Sequence, residues 1–393
     1  MDRTPVYLDW NATAPLSDAA RAAWLEAQTS AWGNPTSVHA LGQAARHHLD
    51  RAKTDLARML GCRAHELVAT SGGSEANALA IRGATAIRGV ATEPPDAAIV
   101  VSAVEHSSVL RNAAATGRQV RTATVDALGR VTVDSLSAVL DAQVGLVCLQ
   151  FANNEIGTVQ DVPALVALVR QRAPQALVLL DCAQGAGKRR LDLAALGVDL
   201  ASVAGHKFGA PKGVGLLYVR TGVRLNPLIA GGRQQQDRRS GTEDAAAVCA
   251  LTAALAESLD HAAVVEARLA GWFTTAWLHI SQDLPLARRN GADDRFNAGG
   301  DRLASVLSLV HPGVSGEALV ARLDLAGFCV STGAACMAAR GEPSHVLLAL
   351  GLPVEWARSA VRVSAGPGTT EAEIDAFATA YVREVAAMRP SPT

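Results

Sequence analysis

The residues with most chemical potential lie at 199–215, D-L-A-S-V-A-G-H-K-F-G-A-P-K-G-V-G. An apolar run ending at Ala204 gives way to Gly205, His206 and Lys207, then to a loop rich in glycine. Small and β-branched residues broken by glycine predict a buried strand that ends in a loop. Such a strand end holds the Lys207 amine at the edge of a buried sheet. Lost hydration there favours the neutral amine and suits it to Schiff-base chemistry. Taken alone, G-H-K fits equally an ordinary solvated loop in which Lys207 and Lys212 reach to water. The surrounding chain decides between these readings.

Residues 68–80, V-A-T-S-G-G-S-E-A-N-A-L-A, predict a short strand, a Ser-Gly-Gly-Ser turn and a helix with Glu75 in its first turn. A glycine turn opening a helix presents free N–H groups and the positive end of the dipole, an anion site. A plain strand-to-helix connection is the alternative. Strands are predicted at 97–101, 144–151, 177–180 and 200–204, and helices at 42–60, 105–116 and 162–172. Repeated strand–helix units of this size argue for an α/β fold whose mainly parallel sheet is covered by helices on both faces. Ligands in such sheets sit at the carboxyl ends of the strands. There the chain places Val104-Glu105-His106, Asn153-Asn154-Glu155, Asp181-Cys182-Ala183-Gln184 and Gly205-His206-Lys207. Converging, they offer an imidazole, an amide, a carboxylate and an amine around one anion-binding turn. That is the inventory for a pyridine cofactor with a phosphate tail.

Beyond these strands, the polar stretch 233–244 reads as a surface loop, and residues 245–287 read as helix. A smaller region follows, with strands at 305–309, 329–331 and 360–364 and helices at 315–325 and 370–387. Between them lies the Gly/Ala-rich segment 332–346, with Cys336 near its centre. T-T-E-A-E at the last helix start has the form of a capping box. Ser17 or Asp18 is the candidate cap of a helix from about Ala19.

Composition bounds the rest. The chain has 393 residues, 49% hydrophobic and 19% charged, with a formal net charge of -1. That length allows two or three domains and a sizeable core. The charge gives no electrostatic case for nucleic acid or an anionic membrane. The start M-D-R-T-P-V-Y-L-D-W lacks the pattern of a signal peptide, and the apolar runs read as strand-sized. A soluble, cytoplasmic protein is expected. The six cysteines form no C-x-x-C pair, so neither a metal site nor a disulfide framework is indicated. Cys148, Cys249 and Cys329 are expected in the core.

Ten segments, in order along the chain, resemble the group I cysteine desulfurases, homodimeric fold-type I enzymes that use pyridoxal 5′-phosphate (PLP). They are Y-L-D-W-N-A-T-A-P, G-N-P-T-S-V-H-A-L-G, T-S-G-G-S-E-A-N, E-H-S-S-V, N-N-E-I-G-T-V-Q, D-C-A-Q, A-G-H-K-F-G-A-P-K-G-V-G, R-S-G-T-E-D, S-T-G-A-A-C-M and V-R-V-S-A-G. The resemblance implies a large domain at 16–257, with a mainly parallel seven-stranded sheet sandwiched by helices. It implies a smaller α+β domain, formed by 1–15 with 258–393, that carries the catalytic Cys loop. Lys207 would carry PLP as a Schiff base, with Asp181 on the pyridinium nitrogen. His106 would be catalytic and stack on the ring, Gln184 would bond the phenolic oxygen, and Asn154 would lie nearby. Gly73 and Ser74 would form the phosphate cradle, with His206 beside them and Thr242 reaching in from the partner subunit. Arg362 would clamp the substrate carboxylate, with Asn11 also on the substrate side. Cys336 would be the nucleophile that takes sulfur from L-cysteine, leaving L-alanine and a persulfide for an acceptor protein, in iron–sulfur cluster assembly or another sulfur delivery.

The sequence departs from the family pattern at Trp10, at Ala204 where many relatives have serine, and at G-P-G (366–368). The competing readings are a selenocysteine lyase, a cysteine C–S lyase that would not need Cys336, and a non-catalytic sulfur-carrier scaffold.

Overall fold

The computed structural model describes residues 4–84, 97–291, 300–333 and 342–388. The chain opens with strand β1 (Val6–Tyr7) and a turn-rich stretch, then helices α1 (Asp18–Ser30) and α2 (Ala40–Leu60). Ser17 caps α1 by accepting from the Ala20 N–H. Helix α2 starts two residues before the apolar spacing suggests, because His39 Nδ1 accepts from Gly42 N–H at 3.3 Å. Its Ala45, Leu49, Ala52 and Leu56 form the buried stripe that the spacing predicts.

Strands and helices then alternate: β2 (Leu67–Thr70), α3 (Gly73–Gly83), β3 (Ala98–Ser102), α4 (Ser107–Ala114), β4 (Val120–Ala123), α5 (Val133–Ser137), β5 (Val144–Gln150), α6 (Val162–Arg172), β6 (Leu177–Asp181), β7 (Leu200–Ala204) and β8 (Gly215–Val219). They build a seven-stranded sheet in the order β2-β8-β7-β6-β5-β3-β4. Pairing is parallel from β7 through β4, whereas β8 is antiparallel to both of its neighbours. Strands β3 and β5 to β8 are buried throughout, so they read as unbroken apolar runs. Successive side chains feed opposite layers. Val147 and Leu180 pack with Leu49, Leu56 and Leu251 on one face, while Leu146 and Leu179 pack with Leu79 and Ile99 on the other.

The 39-residue helix Ala245–Asp283 is the spine of the molecule. Its Leu251, Leu255 and Leu259 belong to the large sheet's core. Its Leu269, Phe273 and Ile280 belong to a separate core with Leu8, Leu307, Val363 and Phe377. By length and composition this helix carries a stretch apolar enough to cross a membrane, which corrects the reading that every apolar run is strand-sized.

The second core sits on a small antiparallel sheet of β9 (Arg288–Arg289), β10 (Val306–Val310), β12 (Ser331–Thr332) and β13 (Val361–Ser364), while β11 (Phe328–Cys329) pairs with β1. The strand expected at 329–331 is therefore broken between two sheets. The last helix, Glu371–Met388, does start in a capping box: Glu373 N–H donates to Thr370 Oγ1 at 3.3 Å, and Glu373 Oε2 accepts from Thr370 N–H at 2.7 Å. Cys148 is buried as expected, but Cys249 and Cys329 are only half-buried.

Candidate active site

Strand β7 ends at Ala204, and the chain turns through a single 3-10 turn, Gly205–Lys207. A Cβ at Gly205 would lie 2.6 Å from Leu251, so glycine lets this turn press against the long helix. Lys207 Nζ donates to the carbonyls of Asn11 (2.7 Å) and Ala12 (2.9 Å), in the opening motif. Beside it, His206 Nδ1 is 3.1 Å from Thr13 Oγ1. Burial, with Lys207 and Lys212 adding positive charge, pushes the His206 pKa down to about 4, so this imidazole is neutral near pH 7.

Asp181 ends the parallel strand β6 and is buried. Its Oδ2 accepts from Asn77 Nδ2 at 2.8 Å and its Oδ1 from Ala183 N–H at 2.9 Å. His106 caps α4, with Nδ1 accepting from Ser108 N–H at 3.1 Å. Burial lowers the His106 pKa; Asp181 pulls it up, while Lys207 and His345 push it down. The neutral ring thus carries its proton on Nε2. Gln184 is buried, with Nε2 donating to the Asn11 carbonyl at 3.2 Å.

The turn before α3 forms a cradle. Gly72 has φ 148° and no side chain caps the helix, so the first-turn N–H groups of Gly73 and Ser74 point outward unclaimed by a cap. Behind them, a Cβ at Gly215 would fall 2.7 Å from Gly72 Cα and 2.5 Å from the Val203 carbonyl. Only glycine admits this approach. Ala204 closes the floor, 3.2 Å from where a Gly73 Cβ would be. Glu75 is engaged by Arg239 Nε at 2.9 Å and Ser71 N–H at 2.6 Å, so its charge is compensated near the cradle. Thr242 is exposed, three residues past Arg239 and next to Glu243, which pairs with Lys53 at 2.8 Å.

Arg362, on β13, is buried and pairs with Asp9 Oδ1 at 2.6 Å; its NH1 reaches the Asn154 carbonyl at 3.4 Å. Its Nε is buried and has no hydrogen-bond partner among the described residues. Asn11 is also buried, and its side-chain groups are taken internally. Nδ2 donates to the Asn154 carbonyl at 2.9 Å and Oδ1 accepts from Lys188 Nζ at 2.7 Å. It is a node joining the two sheets at the site. Cys336 lies outside the described residues.

Residues 7–15, D-C-A-Q, G-H-K, E-H-S-S-V and V-R-V-S-A-G thus meet at the strand ends. Asp9, Asn77, Ser108 and Lys188 complete the site, with no local sequence signal for their roles. Asp9, Asn77 and Ser108 lie inside the motifs that carry the family resemblance, but nothing local says whom Asp9 and Asn77 bond. Trp10 and G-P-G prove to be one feature: the Trp10 ring would sit 2.2 Å from a Cβ on Gly366 and 3.7 Å from one on Gly368. Trp10 also walls a cavity of about 380 Å³ that Lys188, Lys207, Phe208 and Glu257 share.

The donor set fits PLP. A buried carboxylate suits a pyridinium nitrogen, an uncapped helix end suits a phosphate, and an amine lies within the same cluster. The unpaired Arg362 Nε is a buried donor that a carboxylate would satisfy. Comparison with known proteins agrees. The family described as aminotransferase class-V matches residues 6–377. The chain is 40% identical over 377 residues to a cysteine desulfurase of Cereibacter sphaeroides, covering 94% of this chain and 93% of that one. It is 35% identical over 402 residues to a cysteine desulfurase of Rhodobacter capsulatus, covering 100% and 99%. A solved NifS-like protein superposes with a TM-score of 0.85 at 27% identity, covering 97% of this chain and 99% of that one.

Proposed function

The chain belongs to the class-V aminotransferase family, and from that membership we propose a PLP-dependent cysteine desulfurase that moves the sulfur of L-cysteine onto Cys336. The observation that carries this reading is the meeting of Lys207, Asp181, His106 and the uncapped α3 end at one place, with Arg362 Nε open beside them. Lys207 would bond the cofactor, Asp181 would hold its ring nitrogen, and Gly73 and Ser74 with His206 would hold its phosphate, with Gln184 and Asn154 beside it. PLP bound there supplies an electron sink for the substrate's carbon skeleton.

Arg362 holds the substrate carboxylate through a fork already oriented by Asp9, a task that a lysine's point charge does less well. The Cys336 thiolate forms an S–S bond to the substrate sulfur as the C–S bond breaks. The carbon keeps the electron pair and takes a proton, leaving L-alanine. His106, with its proton on Nε2 and its orientation fixed by Ser108, is placed to hand a proton within the site.

The working unit is a homodimer. Trp32 (65% exposed), Val38 (89%) and Leu41 crowd one stretch of surface, and exposed Thr242 stands ready to serve a neighbouring cradle. The acceptor is a cytoplasmic sulfur-accepting protein, with iron–sulfur cluster assembly the favoured destination.

The test compares products formed from L-cysteine by the PLP-loaded protein and its C336S variant, with a thiol reductant present. L-Alanine that depends on Cys336 is the expected result. Pyruvate and ammonia undiminished by C336S would refute desulfuration and leave a C–S lyase.

A further inference from the structure

A second lysine sits at the heart of this site without a role in the reaction described above. Lys188 follows Gln184 by four residues, on the turn after β6. Two glycines shape that turn. A Cβ on Gly185 would lie 2.5 Å from the Phe151 ring, and one on Gly187 (φ 77°) would lie 2.5 Å from Phe208 Cβ. Ser258 Oγ, from the long helix, donates to the Gly187 carbonyl at 2.7 Å and pins the turn. The Lys188 side chain therefore folds back over its own turn. Its Nζ donates to Gln184 Oε1 at 2.6 Å and to Asn11 Oδ1 at 2.7 Å. Both partners are amide oxygens, and among the described residues no carboxylate pairs with this amine.

We propose that Lys188 is a positioning residue: it locks the Gln184 amide with its oxygen turned inward, leaving the Gln184 N–H₂ as the group presented to the cofactor. An amide's oxygen and nitrogen have nearly the same shape, so packing alone does not choose between them; an N–H donor fixed on the oxygen does. The same ammonium ties Asn11, whose carbonyl receives both Gln184 Nε2 and Lys207 Nζ. One side chain thus sets the donor geometry on both sides of the Lys207 amine. The groups facing Lys188 are Lys207 on the 3-10 turn, Arg362 on β13 and Glu266 on the long helix, with Glu257 and His261 along the shared cavity. Burial, Lys207 and Arg362 draw its pKa down to about 7, while Glu266 opposes them from its ion pair with Arg189.

The consequence falls on the bound cofactor's spectrum. A Gln184 N–H donor, and the Lys188 contact that keeps it turned that way, together disfavour a proton on the cofactor–lysine nitrogen. Removing them raises the pH at which the visible absorbance of that linkage titrates. In PLP-loaded protein, K188M is expected to move this midpoint up by about one pH unit. Q184A should move it comparably, and K188M/Q184A no further than Q184A alone, because Lys188 acts through Gln184. A K188M midpoint within about 0.2 unit of wild type, or additive shifts in the double variant, overturns the proposal. If K188M does not fold, K188L, which likewise lacks the donor, is read by the same criteria. The inference rests on the cofactor reading above. Wild-type protein that develops no visible absorbance with PLP would sink that reading, whereas a normal wild-type spectrum with an unshifted K188M would sink only this role.

Discussion

Replacing Asp9 with Asn removes the counter-charge from Arg362, whose side chain is 3% exposed while that of Asp9 is 20% exposed. Breaking a buried ion pair by neutralising one partner costs about 3–5 kcal/mol, because the remaining charge stays buried and unpaired. Two features lessen that here. Water reaches the Asp9 side of the pair, and the Asn154 carbonyl still contacts NH1 at 3.4 Å. We expect D9N to lose about 2–3 kcal/mol of unfolding free energy. R362M should lose a comparable amount by stranding Asp9. The double variant D9N/R362M should lose less than the two losses summed, with a coupling of about 2 kcal/mol. Urea unfolding of all four proteins at one pH measures this cycle. Product L-alanine adds a check, since its carboxylate can replace the lost partner. It should raise the melting midpoint of D9N more than that of wild type. Additive losses, or a D9N variant within about 0.5 kcal/mol of wild type, would refute the claim that Asp9 orients and neutralises the substrate-binding guanidinium.

Two other perturbations probe the cradle and the sheet. Gly215→Ala forces a methyl group against Gly72 Cα and the Val203 carbonyl, so the α3 turn must shift. PLP affinity, titrated by absorbance, should fall by about 5- to 150-fold, since overpacking costs roughly 1–3 kcal/mol; unchanged binding would remove Gly72–Gly73 from the phosphate site. Glu105 is buried behind His106, and burial, with Asp181 adding to it, pushes its pKa up to about 8 against hydrogen bonds from Ser102 and the Gln150 N–H. From about pH 4.5, where an unfolded glutamate ionises, to about pH 8 the folded protein holds a proton that the unfolded chain releases. Stability contributed at Glu105 is therefore full at the acid end and lost as pH rises through that window. Urea midpoints of Glu105→Gln should show a flatter slope there than those of wild type, and an unaltered slope would show that Glu105 is ionised in the fold.

Much of the fold and the site is written locally. Strands buried on both faces must be continuous apolar runs, so β3, β5, β6 and β7 stand out, and their polar ends mark where His106, Asn154, Asp181 and Lys207 meet. The α3 turn and the last helix's capping box are likewise local, because glycine geometry and a side chain's reach to its own backbone are short-range properties. Edge strand β4 is half-exposed and carries no apolar run, so only its pairing with β3 reveals it. Val330 separates two short strands because β1 and β13 compete for the same segment from different sheets. The partners of the catalytic groups lie further still from local rules. Asp9 meets Arg362 across 353 residues, Asn77 meets Asp181 across 104, and Lys188 meets Asn11 across 177. A side chain's type says what it can bond. Which buried partner it bonds depends on where the two sheets bring the backbone, and that is a property of the packed molecule.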